Sequence, residues 1–330
     1  MAARLSPAVL TFVVGIEAAT ALASCRSHAS RVVREQTDSG SSRSKLEVCD
    51  PKANPDLVGF VVDADQDKPL NGKPVLQRTL LHGLQLRITE NDDSARVELV
   101  RANHTWLAAS GFRYSIDNEL RGARGVPIGD QDGDGEPDGV AEEVPIVDRD
   151  INGDGKPELV LRSWSGGAHC CYVLHVLQTG PTPCLIDRLG ADHVGYLTDI
   201  DADGVLEFVN HDSAWHGFHT HYTWQLEPEL IHRYQDGRWR LAGALMRKPP
   251  PTANQMDGWL KTIREGRFEG IECVPEVCVL RAMLRLHYSG HPELSWQYFA
   301  RVGDELEKES FKQEFERRLA ASEAWTELGW

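Results

Sequence analysis

The sequence is poor in positive charge. Its 330 residues include 35 Lys and Arg against 50 Asp and Glu, which gives a formal net charge of −15. This balance argues against nucleic acid, whose phosphates would be repelled, and against anionic membrane surfaces. The chain also lacks G-x-S-x-G, H-E-x-x-H, P-loop and dinucleotide-binding fingerprints. Core-forming residues are present in ordinary numbers, because 41% of the residues are hydrophobic and 8% are aromatic. This composition excludes wholesale disorder.

Residues 1–25 are predicted to be a secretory signal peptide. A basic start is followed by the mostly apolar residues 8–22, which are too short to span a bilayer comfortably. The sequence Leu22-Ala23-Ser24-Cys25 resembles the lipobox of bacterial lipoproteins, and this resemblance implies lipidation of Cys25 and an outer-membrane location. Ordinary signal cleavage and a periplasmic location are the alternative. The Ser/Arg-rich residues 26–45 are expected to form a flexible linker.

Export would place the other cysteines in an oxidising compartment, where disulfides are expected. Apart from the candidate lipidation site, six cysteines remain: Cys49, Cys170, Cys171, Cys184, Cys273 and Cys278. Six cysteines allow 15 pairings, and the sequence does not select one of them. Cys273 and Cys278 are close enough to close a small loop. Cys184 follows a Thr-Gly-Pro turn and is expected to face Cys170 or Cys171 across a hairpin.

The acidic residues are concentrated in repeats of one motif, D-x-[DN]-x-D-G-x-x-[DE]. Residues 128–158 include eleven acidic and two basic residues, and a further acidic segment spans residues 199–207. Each copy has oxygen-bearing side chains at positions 1, 3, 5 and 9 and a glycine at position 6. These side chains are Asp130, Asp132, Asp134 and Asp138 in the first motif, Asp150, Asn152, Asp154 and Glu158 in the second motif, and Asp199, Asp201, Asp203 and Glu207 in the third motif.

The motif predicts calcium binding at two or three sites. Its side-chain oxygens can converge if the loop coils, the glycine permits a positive φ, and the position-7 carbonyl can add a fifth ligand. An oxygen-only shell suits Ca²⁺ better than Mg²⁺, whereas zinc would require His or Cys ligands. Without a cation, two carboxylates about 4 Å apart repel by roughly 4 kcal/mol at an effective dielectric of 20. The alternative is a set of solvated turns, which Asp, Asn and Gly also favour.

These motifs are not EF-hands, because position 12 is Ala141, Leu161 or Asn210 instead of a bidentate glutamate. Residues 159–162 and 208–209 are predicted to be strands. A loop of this kind that leads into an apolar strand resembles the calcium loops of FG-GAP/VCBS-type repeats, best known from integrin α-chain propellers. The GGAHCC segment within residues 165–171 resembles a feature of exported bacterial proteins of this type.

The resemblance covers roughly residues 128–245 and implies FG-GAP-like hairpins. The first two motifs start 20 residues apart and the last two 49 apart, whereas a propeller blade needs four strands. We therefore expect a mainly β fold with an incomplete or rearranged propeller-like β-domain, and a small all-α C-terminal domain.

The flanking regions complete the predicted domain organisation. Short alternations such as residues 83–88 and 96–100 predict strands, and a Lys-Pro-Pro-Pro stretch marks a boundary before a helical pattern begins at Met256. The predicted divisions are a β-rich N-terminal region (46–127), a calcium-loop β-domain (128–247) and a helical C-terminal domain (252–330).

A histidine cluster offers a different site. It comprises His211, Asp212, His216, His219 and His221. His219 and His221 would share one face of a strand and could hold a transition metal. A metal-dependent hydrolase or oxidoreductase with structural calcium is thus the alternative function. The leading expectation is a non-enzymatic, exported calcium-binding envelope lipoprotein whose helical end contacts a protein or glycan partner.

Overall fold

The computed structural model describes residues 46–57, 70–102, 104–116, 146–166, 172–191, 195–218, 226, 228–302 and 308–330. All of them belong to one compact unit. Strand residues outnumber helical residues, 37% against 31%, and the helices are grouped towards the C-terminus. The predicted combination of a mainly β fold with a small helical C-terminal region is confirmed.

The described residues form fifteen strands in four antiparallel sheets. The strands are β1 (Lys73–Thr79), β2 (Gln85–Glu90), β3 (Ala95–Arg101), β4 (His104–Gly111), β5 (Arg113–Ile116), β6 (Val147–Arg149), β7 (Glu158–Trp164), β8 (Tyr172–Gln178), β9 (Cys184–Ala191), β10 (Tyr196–Thr198), β11 (Glu207–His211), β12 (Glu229–Gln235), β13 (Arg238–Leu241), β14 (Arg267–Phe268) and β15 (Ile271–Glu272).

Six helices are present in the same residues: α1 (Gly243–Met246), α2 (Ala253–Arg264), α3 (Pro275–Tyr288), α4 (Pro292–Val302), α5 (Lys308–Ala321) and α6 (Glu323–Leu328). Helix α2 begins with a capping box, in which Thr252 and Gln255 satisfy each other's backbone N–H groups. Prolines at the first positions of α3 and α4 fit helix starts, where a missing N–H costs nothing.

Three of the sheets follow one another along the chain, and they have four, five and four strands. The first has the order β1-β2-β3-β4 and the third has the order β10-β11-β12-β13. The second has the order β5-β7-β8-β9, and β6 also pairs with β7. The fourth sheet is the short β14-β15 hairpin. Within the described residues, the sheets do not close into a barrel or a propeller.

The second sheet is packed on both faces. Along β7, Leu159 and Leu161 belong to a hydrophobic core shared with the first sheet, whereas Val160 belongs to a core shared with the third sheet. Successive side chains of a strand point to opposite faces, which explains why sequence neighbours enter different cores.

The third sheet in turn connects the β part to the helices. In β11, Phe208 enters the core shared with the second sheet, and Val209 enters a third core built mainly by the helices. Phe315 and Leu319 of α5 are four positions apart, so they share one face of the helix, and both are buried in this third core.

The described residues contain two disulfides. Cys273–Cys278 is the predicted short bridge and is confirmed. The prediction that Cys184 pairs with Cys170 or Cys171 is wrong, because Cys184 is bonded to Cys49. The strand register supplies the reason: Cys184 lies opposite Gln178 at the turn end of the β8–β9 hairpin, whereas the residue after Cys171 pairs with Ala191 at the far end. Cys170 and Cys171 themselves lie outside the described residues.

Candidate metal centre

Two of the three acidic motifs fall within the described residues. The second motif connects β6 to β7, and the third motif connects β10 to β11. Each motif therefore closes an antiparallel hairpin and delivers its position-9 glutamate as the first residue of a strand. The predicted strands after the motifs are confirmed. The first motif, with Asp130, Asp132, Asp134 and Asp138, lies outside the described residues.

Both loops coil around their position-1 aspartate. In the second motif, Asp150 Oδ1 accepts a hydrogen bond from the Gly153 N–H at 2.8 Å, and its Oδ2 accepts one from the Gly155 N–H at 2.9 Å. In the third motif, Asp199 accepts from the N–H groups of Asp203 and Gly204 at 3.1 and 2.9 Å. The position-6 glycine has a φ of +80° in one loop and +91° in the other, a region that side-chain-bearing residues rarely adopt.

The position-9 glutamates are fully buried. Glu158 Oε2 accepts a hydrogen bond from the Ile151 N–H at 2.9 Å, and Glu207 Oε2 accepts one from the Ile200 N–H at the same distance. Both residues have 0% exposure, and the second oxygen of each, Oε1, has no hydrogen-bond partner within the described part of the chain. A buried acceptor without a donor is costly and requires a compensating group.

Burial changes the acidity of these carboxyl groups. The pKa of Glu158 is raised to about 8, mainly by loss of hydration and to a smaller extent by the nearby carboxylates of Asp154 and Asp150. The hydrogen bond from the Ile151 N–H opposes this rise in part. Burial also raises the pKa of Glu207, with a smaller contribution from Asp201. The two loops thus hold carboxyl groups in an environment that disfavours their charge when no metal is bound.

The third motif brings three carboxylates together. Ligand oxygens of Asp199, Asp201 and Glu207 all lie within 4.8 Å of one another, and this is the one such group among the described residues. Asp150, Asp154 and Glu158 of the second motif do not approach one another as closely. Of the two motifs that the structure describes, only the third has its carboxylate oxygens converging on a common point.

Arg233 of β12 lies against the third motif. Its Nη1 is 2.6 Å from Asp201 Oδ2, its Nη2 is paired with Asp203 Oδ2, and its Nε is 3.8 Å from Glu207 Oε1. Arg233 is 26 positions beyond the motif in the sequence, and only the β11–β12 pairing brings it to the loop, so no local pattern marks it as a neighbour of these carboxylates.

The two motifs also touch each other. The Leu206 N–H donates to the Ile151 carbonyl at 2.8 Å, which ties the third motif to the second. A side chain at Gly153 would lie 2.9 Å from Val205, so the loops approach closely at this point as well. The side chains of Ile151 and Leu206 are fully buried in the core between the second and third sheets.

The histidine cluster is only partly described. His211 ends β11 and His216 follows a short 3₁₀ turn, whereas His219 and His221 lie outside the described residues. Asp212 caps the 3₁₀ turn through the Ala214 N–H at 2.9 Å, and its other oxygen accepts from Tyr288 and Ser322. This aspartate is thus used in joining the third sheet to the helices.

Comparisons with protein-family models, with curated proteins and with solved structures find no match. None of the helices in the described part of the chain has the length and apolar character needed to cross a membrane.

Proposed function

We propose that the protein is an exported calcium-binding protein in which Ca²⁺, held by the repeated acidic loops, stabilises FG-GAP-like hairpins. The observation that carries this proposal is the third motif, where oxygens of Asp199, Asp201 and Glu207 lie within 4.8 Å of one another and Glu207 Oε1 is buried without a donor. Oxygen ligands of this kind suit a hard divalent cation with six to eight ligands.

The position of the loops supports a stabilising role. Because the Leu206 N–H donates to the Ile151 carbonyl, an ion bound in either loop would order the contact between the second and third sheets. Calcium would also compensate the negative charge of the buried glutamates, because burial disfavours their ionised form. In this proposal the metal has a structural role, the protein is not an enzyme, and the helical end contacts a protein or glycan.

The disulfides are compatible with export. Cys49–Cys184 and Cys273–Cys278 would persist in an oxidising compartment and would be reduced in most cytosols. The proposed location is the bacterial envelope, either at the outer membrane through a lipid on Cys25 or in the periplasm.

Calorimetry and thermal unfolding of the metal-free protein test the proposal. At a free Ca²⁺ concentration about 100 times the dissociation constant, one site adds about 2.7 kcal/mol and should raise the Tm by roughly 5 °C. We expect the isosteric change Asp201→Asn to reduce the Ca²⁺-dependent shift, because it removes a charged ligand of the converging group.

The control is Asp92→Asn, which removes an exposed carboxylate from the turn between β2 and β3. It should leave the shift unchanged. Absence of heat on Ca²⁺ addition, together with an unchanged Tm, would refute calcium binding.

A further inference from the structure

Arg233 occupies the position towards which the carboxylates of the third motif converge. Its guanidinium contacts Asp201 and Asp203 and lies 3.8 Å from the buried Glu207 Oε1. The Arg233 side chain is 24% exposed, so its charge is only partly screened by water. A guanidinium here provides some of the positive charge that a bound calcium ion would otherwise supply.

The second motif has a neutral residue at the corresponding position. Across the β7–β8 pairing, Glu158 lies directly opposite Gln178. Across the β11–β12 pairing, Phe208 lies opposite His232, which places the preceding Glu207 beside Arg233. The β7–β8 and β11–β12 pairs are therefore equivalent in register. They differ in the residue opposite the buried glutamate, which is a neutral glutamine in the first pair and a charged arginine in the second.

A lysine near the second motif does not replace the arginine. Lys156 Nζ is 3.2 Å from Asp154 Oδ2 and 3.1 Å from Gln178 Oε1, but the Lys156 side chain is 56% exposed. An exposed single ion pair is weak and is readily exchanged for water. Within the residues that the structure describes, Glu158 Oε1 and Asn152 Nδ2 are buried and have no hydrogen-bond partner.

We infer that Arg233 competes with Ca²⁺ for the third motif, whereas the second motif, which faces Gln178, binds Ca²⁺ without an internal competitor. This inference rests on the proposed function. A calcium ion entering the third motif must displace the guanidinium from Asp201 and Asp203 and then remain close to its positive charge. Like charges in a partly buried site repel strongly, so the third motif should fill at a higher Ca²⁺ concentration than the second.

The competition also makes the third motif responsive to calcium concentration. At low Ca²⁺ the guanidinium of Arg233, which contacts Asp201 and Asp203, would hold the loop together. At high Ca²⁺ the metal takes over these carboxylates and releases Arg233. Among the described residues, no arginine contacts the second motif, and its carboxylates are expected to converge only when an ion is bound.

Exchange of the two facing residues tests the inference. The parent protein would carry Asp130→Ala and Asp132→Ala, which silence the first motif, and binding of CaCl₂ would be followed by isothermal titration calorimetry and native mass spectrometry. We expect one tight and one weak Ca²⁺ in the parent. Arg233→Gln should tighten the weak step about tenfold or more, and Gln178→Arg should weaken the tight step by a similar factor. Adding Asp154→Ala to the parent should abolish the tight step and thereby assign it to the second motif.

Two controls keep the experiment decisive. Arg78→Gln removes one positive charge from an exposed position on β1 and should change neither step. Arg233→Lys keeps the charge but loses the two-pronged contact, so it should tighten the weak step less than Arg233→Gln does. Circular dichroism of each variant would confirm that it is folded.

The possible results separate the two levels of the proposal. Two equal binding steps in the parent, or no change on Arg233→Gln in a folded protein, would overturn the competition and leave calcium binding intact. No Ca²⁺ bound by any variant would instead refute the proposed function, and the competition with it.

Discussion

At the scale of single residues, Asp212 shows how a polar side chain can have a structural task. One of its oxygens accepts from Ser322 Oγ at 2.5 Å and from the Tyr288 hydroxyl, and that hydroxyl accepts from Trp215 Nε1 at 2.9 Å. Burial raises the pKa of Tyr288, so its hydroxyl stays protonated and remains a donor. In the sequence, Asp212 is one member of a histidine-rich segment, and its partners Tyr288 and Ser322 are more than 70 residues away.

His287 of α3 predicts a dependence of stability on pH. Burial lowers its pKa from 6.5 to about 4, and the hydrogen bond from its Nδ1 to the Met283 carbonyl opposes this only in part. Its ring packs against Trp296, Phe315 and Trp325. As the pH falls from 6.5 to 4, the unfolded chain binds a proton that the folded protein does not, and stability is lost. We expect His287→Leu to reduce this loss by up to about 1.4 kcal/mol per pH unit, measured by urea unfolding at pH 7, 6 and 5.

A packing variant without a titrating group is the matched control for His287. Leu286→Ala alters the neighbouring buried residue of the same helix and should lower stability by a similar amount at every pH. The same pH slope in wild type and His287→Leu would contradict the assignment. Burial and the positive charge of Arg188 lower the pKa of His175 to about 3. Wild type and His287→Leu should therefore both keep the part of the acid sensitivity that comes from His175.

At the scale of elements, one long-range disulfide attaches the first described segment to the second sheet. The Leu185 N–H donates to the Glu47 carbonyl and the Cys49 N–H donates to the Leu185 carbonyl, both at 2.8 Å. The Cys49–Cys184 bond therefore reinforces a strand-like contact between residues 135 positions apart. Cys273–Cys278, in contrast, closes a loop of five positions at the start of α3.

The two disulfides should differ in their effect on stability. In the chain-entropy model, removal of a link across 135 residues costs about 5 kcal/mol, and removal of one across five residues costs about 2 kcal/mol. We therefore expect Cys49→Ala/Cys184→Ala to lower the free energy of unfolding more than Cys273→Ala/Cys278→Ala does. Denaturant unfolding of the two double variants provides the comparison, and each serves as the control for the other. Equal losses would show that strain or residual structure outweighs loop entropy.

At the scale of the whole molecule, three hydrophobic cores are linked through shared sheets. The second sheet contributes to the cores on both of its faces, and the third sheet connects the middle core to the helices. Damage to one core should therefore reduce the stability of distant elements, since each sheet depends on the packing of its neighbour.

Leu161→Ala tests this coupling. Leu161 is 1% exposed and lies in the core between the first and second sheets, so its truncation should cost about 3 kcal/mol. We expect hydrogen exchange to show reduced protection in β2 and β3 and also in α3, which is on the other side of the third sheet. The control Val75→Ala, at a residue of β1 that is 54% exposed, should cost less than about 0.5 kcal/mol. A loss of protection confined to the first sheet would contradict a single cooperative unit.

Local patterns in the sequence predicted much of the fold. The strand patterns at 83–88 and 96–100 correspond to β2 and β3. The Asp-Gly step at residues 236–237 is typical of a tight turn, and it joins β12 to β13 with Gln235 opposite Arg238. Met256 and Ile263 are buried in α2, as the helical spacing requires. These features depend on neighbouring residues, whose hydrophobic period, turn residues and caps are visible in the sequence.

The sequence by itself determined the motif spacing, the strands that follow the motifs, the change from strands to helices near residue 252, and Cys273 and Cys278 as candidates for a short bridge. Each of these depends on residues close together in the chain. Only the tertiary structure decided that Cys184 meets Cys49, that Asp212 meets Tyr288, and that Arg233 faces one acidic loop while Gln178 faces the other. Those contacts follow from strand register and sheet packing, in which a shift of one residue would point each side chain to the opposite face.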